Sequence, residues 1–345
     1  MWLRRLRRRT RAERANAGAC DVALAFDPTR RLAAIVVGRA GMDLYPVPDG
    51  VETESAEQFA AEIGGSAGNI AVAITRQDHP AALLGALSDD AVGRFVRVHL
   101  ERYAVDTSRC RTVTGAFRTS LAVCETRPDD SETVFYRNGA VDLQLRADDF
   151  DSSFVAGASF LVVTGTALAA EPSRAAALHA LALARATGTF SILDVDYRPV
   201  SWSSKEETRR ALADAARLSD AIVGNDEEFA VLAGDPGGGF EAANAFVRNG
   251  GRFVVFKRGN AGSVTITADG SFETGIFAVD AKKPFGSGDA FLGSLVVGLR
   301  CGLSLEPAVR RAAAAAAYVV ARRGCAFAMP TAAELDAFML GHPSN

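Results

Sequence analysis

Short apolar runs alternate with helical stretches along most of this chain, and that alternation restricts the possible fold more than any other feature. LAAIVVG (32–38) contains no polar side chain and ends in glycine, as a strand buried on both faces requires. Similar runs follow at AALLGAL (81–87), FLVVTG (160–165), TFSILDVD (189–196), DAIVGN (220–225) and RFVVFKRG (252–259). Between them stand stretches of helical composition, NIAVAITRQ (69–77), PSRAAALHALALARATG (172–188) and SLEPAVRRAAAAAAYVVARRG (304–324). Pro307 suits the start of the last helix and Gly324 its end. Strand alternating with helix predicts an α/β fold, a doubly wound, mostly parallel sheet with helices on both faces.

Two segments break the alternation. TVTGAFRTSLAVCETRPDDSETVFY (112–136) carries β-branched residues around a polar turn and predicts an antiparallel hairpin. DLYPVPDGVETESAEQF (43–59) is a second extended piece just after the first strand. Together they predict a small β lid, built near 43–62 and 112–138, over the sheet edge where open α/β sheets bind ligands. Exposed edges of such lid strands offer a route to a homodimer.

Charge marks the limits of the folded part. Residues 1–14 hold seven Arg and one Glu, so the remainder of a chain with net charge −3 carries about −9. No apolar core of a signal peptide follows. The segment 1–31 reads as a disordered basic tail or an upstream start, and 32–341 as the folded domain. The net charge gives no reason to expect nucleic acid, and no run approaches the roughly 20 apolar residues of a membrane span. Five scattered cysteines and four scattered histidines show no metal-ligand spacing and suit a reducing cytoplasm.

Polar motifs sit where the predicted strands end. In KKPFGSGDAFLGS (282–294), Gly286 and Gly288 permit a tight turn and Ser287 or Asp289 suits a helix cap. The same residues suit anion binding, because bare glycines at a helix start expose backbone N–H groups. GGSAGNIA (64–71) pairs Gly64 and Gly65 before a helix but lacks the lysine of a P-loop. GRAGMD (38–43) places Asp43 just past the first strand, to accept from sugar hydroxyls or simply to solvate a loop. In DVDYRP (194–199), Arg198 suits a phosphate or carboxylate, or a surface ion pair with Asp194 or Asp196. Asn225 and Glu228 in GNDEEF offer oxygen atoms to Mg²⁺, and Gly259 and Gly262 after Lys257 form a loop on which a nucleotide fits.

The order of these motifs resembles that of the ribokinase-like (PfkB) carbohydrate kinases, over residues 32–341. GGSAGN is similar to that family's first signature and PFGSGDAFLGS to its second, with Asn225-x-x-Glu228 and Lys257-x-Gly259 between them. The stretches IVVGRAGMDLYPV, FYRNGAVDLQL, LDVDYRPVSW and AMPTAAELDAF look closest to the branch acting on 5-dehydro-2-deoxygluconate in inositol catabolism. Two positions depart from that branch: Ser287 stands where Ala is common, and Ala67-Gly68 where Pro-Ala is usual.

The resemblance implies an ATP- and Mg²⁺-dependent kinase acting on the primary hydroxyl of a sugar acid. It implies Asp289 as catalytic base, with the N–H groups of Gly286, Ser287 and Gly288 stabilising the transferred group. Asp43, Gly64, Gly65 and Asn69 are then expected to hold the sugar, and Arg137 or Arg198 its carboxylate. Asn225, Lys257, Gly259 and Gly262 are expected to face ATP, with Asn225 and Glu228 near Mg²⁺ through water. A 2-keto-3-deoxygluconate kinase or a fructokinase would use the same apparatus, and a sugar sensor without turnover is the reading from another class.

Overall fold

The computed structural model describes residues 24–127, 132–281 and 285–342. From the N-terminus the strands are β1 (Leu32–Val37), β2 (Gly41–Val47), β3 (Gln58–Gly64), β4 (Ala81–Leu84), β5 (Ala86–Ser88), β6 (Arg111–Val113) and β7 (Leu121–Cys124). They continue as β8 (Thr133–Tyr136), β9 (Ala158–Thr164), β10 (Phe190–Asp194), β11 (Ala221–Asn225), β12 (Phe253–Lys257), β13 (Ser263–Thr267) and β14 (Gly270–Thr274). The helices are α1 (Ser66–Thr75), α2 (Ala91–Arg102), α3 (Ser152–Ala156), α4 (Ser173–Thr187) and α5 (Lys205–Leu218). After them come α6 (Asp226–Ala233), α7 (Gly239–Arg248), α8 (Ser287–Arg300), α9 (Leu305–Val320) and α10 (Ala332–Gly341).

Eight strands form one sheet in the order β14-β13-β12-β11-β10-β9-β1-β4, parallel from β12 to β4 and antiparallel at the β13 and β14 edge. The apolar runs are continuous because the sheet is covered on both faces. Ala34 and Val36 of β1 pack with α1, α8 and α9, while Ile35 and Val37 pack with α4 and α5. After β4 the strand order reverses across β1 to β9, so the C-terminal ends of β1, β9, β10, β11 and β12 open on one crevice.

A separate four-stranded sheet, ordered β3-β2-β7-β8, is the lid. Its hairpin begins later than expected. Residues 111–113 are β6, which pairs in parallel with β5, so the lid strands from this segment are 121–124 and 133–136. The run read as one strand over 81–87 breaks at Gly85, where a side chain would meet the Gly38 carbonyl oxygen at 2.7 Å. Beyond that break β5 leaves the main sheet.

The boundary read at 31/32 is also corrected from Leu24 onward. The Phe26 ring lies 4.5 Å from that of Phe160. Arg30 donates to the Ala158 carbonyl (3.0 Å) and to Thr189 Oγ1 (2.6 Å). Charge had marked this stretch as tail, but one phenylalanine packed against β9 and β10 docks it. The Arg-rich residues 1–14 lie outside the described residues. Among the described residues no helix is long and apolar enough to cross a membrane.

Candidate active site

Helix α8 starts on a bare N-cap. Gly286 has the left-handed backbone (φ +79°), which calls for glycine, and a side chain there would press on Cys325 Sγ at 3.2 Å. The cap expected of Ser287 or Asp289 is not how this helix begins, since the N-cap position has no side chain. Asp289 instead points its carboxylate across to α1, where Asn69 Nδ2 donates to Oδ2 at 2.8 Å. Gly293 makes that meeting possible: a side chain there would be 2.5 Å from Ala73 Cβ, so α8 can lie directly on α1. Burial pushes the Asp289 carboxyl up to about 6, with the charge of Asp196 next in effect, while Asn69, Arg198 and Lys257 pull it down.

The glycine pair before α1 has a specific job. A side chain on Gly64 would be 1.9 Å from Asp43 Oδ1, so Gly64 leaves the space that the buried Asp43 carboxylate occupies. Gly65 turns the chain into α1 with φ +90°, and a side chain there would meet the Arg39 carbonyl oxygen at 2.6 Å. Asp43 and Asn69 therefore reach the crevice from the lid strand β2 and from α1. Asn69 Oδ1 is buried and takes no hydrogen bond from the protein.

The end of β10 brings three ionisable side chains together. Asp194 is buried, and its carboxyl is pushed well up by that burial, opposed by Lys257 and reinforced by Asp196, Glu228 and Asp289. Arg198 Nη2 pairs with Asp196 Oδ1 at 3.0 Å, the ion pair that the motif allowed, but with a buried acid rather than on the surface. Arg137 follows the lid hairpin. Its Nε and Nη2 donate to Asp142 Oδ2 (3.2 and 2.5 Å), Nη2 also to the Thr166 carbonyl (2.9 Å), and Nη1 is buried without a partner. Arg137 lines a cavity of about 200 Å³ with Phe135, Asn138, Leu143, Val200 and Ser201.

The ends of β11 and β12 complete the crevice. Asn225 Oδ1 accepts from the Glu228 N–H (2.8 Å), and Glu228 Oε2 from the Asn225 N–H (2.7 Å), a reciprocal cap on α6. Glu228 Oε1 accepts from the Tyr197 N–H at 3.2 Å. Lys257 Nζ lies 3.4 Å from where a side chain on Gly288 would begin, so it faces the first turn of α8. Gly259 (φ +54°) is open to solvent on its side-chain side, whereas Gly262 (φ +77°) abuts the Thr274 carbonyl.

Sequence reasoning did not single out Ser66, Asp142 or Thr166, and it treated Asp194 and Asp196 only as partners for Arg198. Their signal is weak in one dimension, because hydroxyls and acids at strand ends are common and only burial distinguishes these.

A family model described as "pfkB family carbohydrate kinase" matches residues 32–332. The 5-dehydro-2-deoxygluconokinase of Photobacterium profundum is 42% identical over 315 residues, which are 89% of this chain and 95% of that protein. Among solved structures, fructokinase from Vibrio cholerae with fructose, ADP and calcium is 27% identical, with a TM-score of 0.79 over 90% of this chain and 99% of its own. A structure from Escherichia coli in complex with ATP and Mg²⁺ has a TM-score of 0.80 at 22% identity, over 90% of this chain and 99% of its own. With a family model matching residues 32–332 and a relative 42% identical over 89% of the chain, the chain belongs to the pfkB family of carbohydrate kinases.

Proposed function

We propose that this chain transfers the γ-phosphoryl group of ATP to the primary hydroxyl of a sugar acid, 5-dehydro-2-deoxy-D-gluconate, in the cytoplasm. The observation that carries the transfer chemistry is Asp289, presented beside the uncapped first turn of α8 and steadied by Asn69. With its carboxyl at about 6, Asp289 is ionised at neutral pH and still basic enough to take the hydroxyl proton as the new O–P bond forms. The N–H groups of α8 and the Lys257 ammonium supply positive potential where charge builds on the phosphoryl oxygens. Asp43 and Asn69 orient the sugar hydroxyls; the unpartnered Asn69 Oδ1 is an acceptor that the protein leaves open.

The donor set at the strand ends fits Mg²⁺ through water rather than directly. Both oxygens of Glu228 already accept backbone N–H groups, and no group of three metal-ligating side chains is poised among the described residues. Asn225 and Glu228 would hold its water shell, and Mg²⁺ when bound neutralises charge on the phosphates. Closure of the lid excludes water, the competing phosphoryl acceptor. A second copy of the chain is the partner we assign to the lid's outer face.

The sugar acid is supported by the Photobacterium relative and by Arg137, whose buried Nη1 has no protein partner. The test is a coupled kinase assay over sugar acids and neutral hexoses, repeated with Arg137→Met and with Arg137→Lys, which keeps a cation beside Asp142. We expect 5-dehydro-2-deoxygluconate to give the highest kcat/KM in wild type. Arg137→Met should raise its KM about tenfold or more, the value of one charge-assisted contact, with the KM for ATP little changed. A wild-type preference for fructose would replace the substrate and leave the kinase chemistry standing. No ATP turnover with any sugar would leave only a sensor.

A further inference from the structure

Two carboxylates stand near each other in the crevice, and a single turn of α1 reaches both. Ser66 Oγ donates to Asp196 Oδ2 at 2.7 Å, and three residues on, Asn69 Nδ2 donates to Asp289 Oδ2 at 2.8 Å. Residues i and i+3 share a helix face, so the spacing of the two acids is set by a rigid element rather than by a loop. Asp196 is held more firmly still. Thr166 Oγ1 donates to the same Oδ2 at 3.0 Å, Arg198 Nη2 pairs with Oδ1 at 3.0 Å, and the side chain is 2% exposed.

The backbone at Asp196 is left-handed, with φ +36°, a conformation that costs a non-glycine residue about 1–3 kcal/mol and persists only where the surroundings enforce it. Immediately beside it, a side chain on Gly165 would meet the Val195 carbonyl oxygen at 1.9 Å, so the strand ends are pressed together to hold this turn. Two hydrogen bonds, an ion pair and a strained backbone thus fix one carboxylate to which the proposed reaction assigns no contact with a reacting atom. We propose that Asp196 is a positioning residue for phosphoryl transfer, presenting a fixed negative charge to Asp289 and holding Arg198 beside it.

This inference rests on the reading of Asp289 as the base. In the transfer step the acceptor oxygen forms its bond to phosphorus as the bond to the departing ADP oxygen breaks, and the hydroxyl proton passes to the Asp289 carboxylate. A neighbouring negative charge makes that carboxylate a better proton acceptor, and neighbouring cations make it a poorer one. Asp196 and Arg198 from the end of β10 and Lys257 from β12 act on Asp289, which in turn acts on Asp194, while Glu228 from α6 acts on Asp194 and Arg198. Asp196 is the foremost charge raising the proton affinity of Asp289, while Arg198 and Lys257 oppose it.

The experiment is the pH profile of kcat/KM for the sugar acceptor between about pH 5 and 9, in the full chain with MgATP. Wild type should lose activity on the acid side near pH 6, where Asp289 takes up a proton. Asp196→Asn, which keeps the size of the side chain, should move that acid limb down by about one unit and lower the plateau about tenfold. Asp196→Glu, which keeps the charge, should leave the limb in place even if the plateau falls. Arg198→Gln should move the limb in the opposite direction, and it carries the test if the Asn variant does not fold. A lower plateau with an unmoved limb in Asp196→Asn and Arg198→Gln would show a merely structural role and overturn the proposal. Asp289→Asn is the control: retention of most turnover there would sink the assignment of the base itself, a failure distinct from that of Asp196.

Discussion

Asp289 holds its proton more tightly than a solvated aspartate because burial penalises the charged form and Asp196 adds to the penalty. The consequence for stability follows from proton uptake. A carboxyl raised from its ordinary 3.8 to about 6 makes the folded state bind a proton that the unfolded chain has already released. Folding stability therefore falls as pH rises through that window, and above it the ionised side chain is a standing cost. Asp289→Asn removes the cost. We expect this variant to melt about 2–4 °C higher than wild type at pH 8, with the gain vanishing below pH 4, while kcat falls about 10²–10⁴-fold. Equal melting temperatures at pH 8, followed by differential scanning calorimetry, would contradict this account. The same site explains two of its glycines: at Gly64 the missing side chain is space used by Asp43, and Gly286 takes a left-handed backbone.

At the scale of elements, the lid is two insertions joined by the β2–β7 ladder, and one acid adds a tie between their connections. Glu125, at the end of β7, accepts from the Thr53 N–H (2.8 Å) in the β2–β3 connection, from the Glu132 N–H (3.2 Å) and from Arg127 Nε (2.9 Å). These bonds, the one to Thr53 foremost, hold its carboxyl down to about 2. A depressed carboxyl contributes stability above its ordinary range and loses it only as pH falls toward 2, so the tie is complete at any pH at which the enzyme works. Glu125→Ala should loosen the β2–β3 connection on the hairpin, leaving the Gly50–Thr126 hydrogen bond and the Glu52–Arg127 ion pair, and so weaken closure. The expected result is a KM for the sugar raised about tenfold with the KM for ATP within about twofold, read from initial rates. Equal changes in both constants would mean that the tie supports the whole domain rather than the lid.

For the molecule as a whole, the lid has an unequal pair of faces. Asp43, Tyr45, Ala122 and Cys124 are buried on the inner face. On the outer face Leu44 lies between Ala61 and Val123 in register, Val134 next to Val123, and Phe59, Val134 and Tyr136 are exposed. An apolar sheet face of this kind suits a second copy of itself, related by a two-fold axis. The expected mass by light scattering is about twice the 36.3 kDa of one chain. The double variant Val134→Asp, Tyr136→Ser should bring it to one chain while turnover with saturating sugar persists. A wild-type protein that is monomeric at micromolar concentration would end the dimer reading.

The order of elements was legible in the sequence because it depends on local pattern. A run such as LAAIVV has no polar position to offer solvent, so it must lie between two helical layers, and glycines at strand ends mark where the chain can turn toward a ligand. The motifs around Asp289, Asn69 and Lys257 were each weak as local pattern and stood out only by their joint order, which resembles that of the family. What one dimension did not contain was proximity. Nothing in the spacing of Ser66, Thr166 and Asp196 says that they meet, that Asp142 takes most of Arg137's hydrogen bonds, or that Phe26 docks a segment that itself read as tail. Those facts follow from which strand ends are adjacent in the sheet and which side chains burial deprives of water, and only the packed chain decides either.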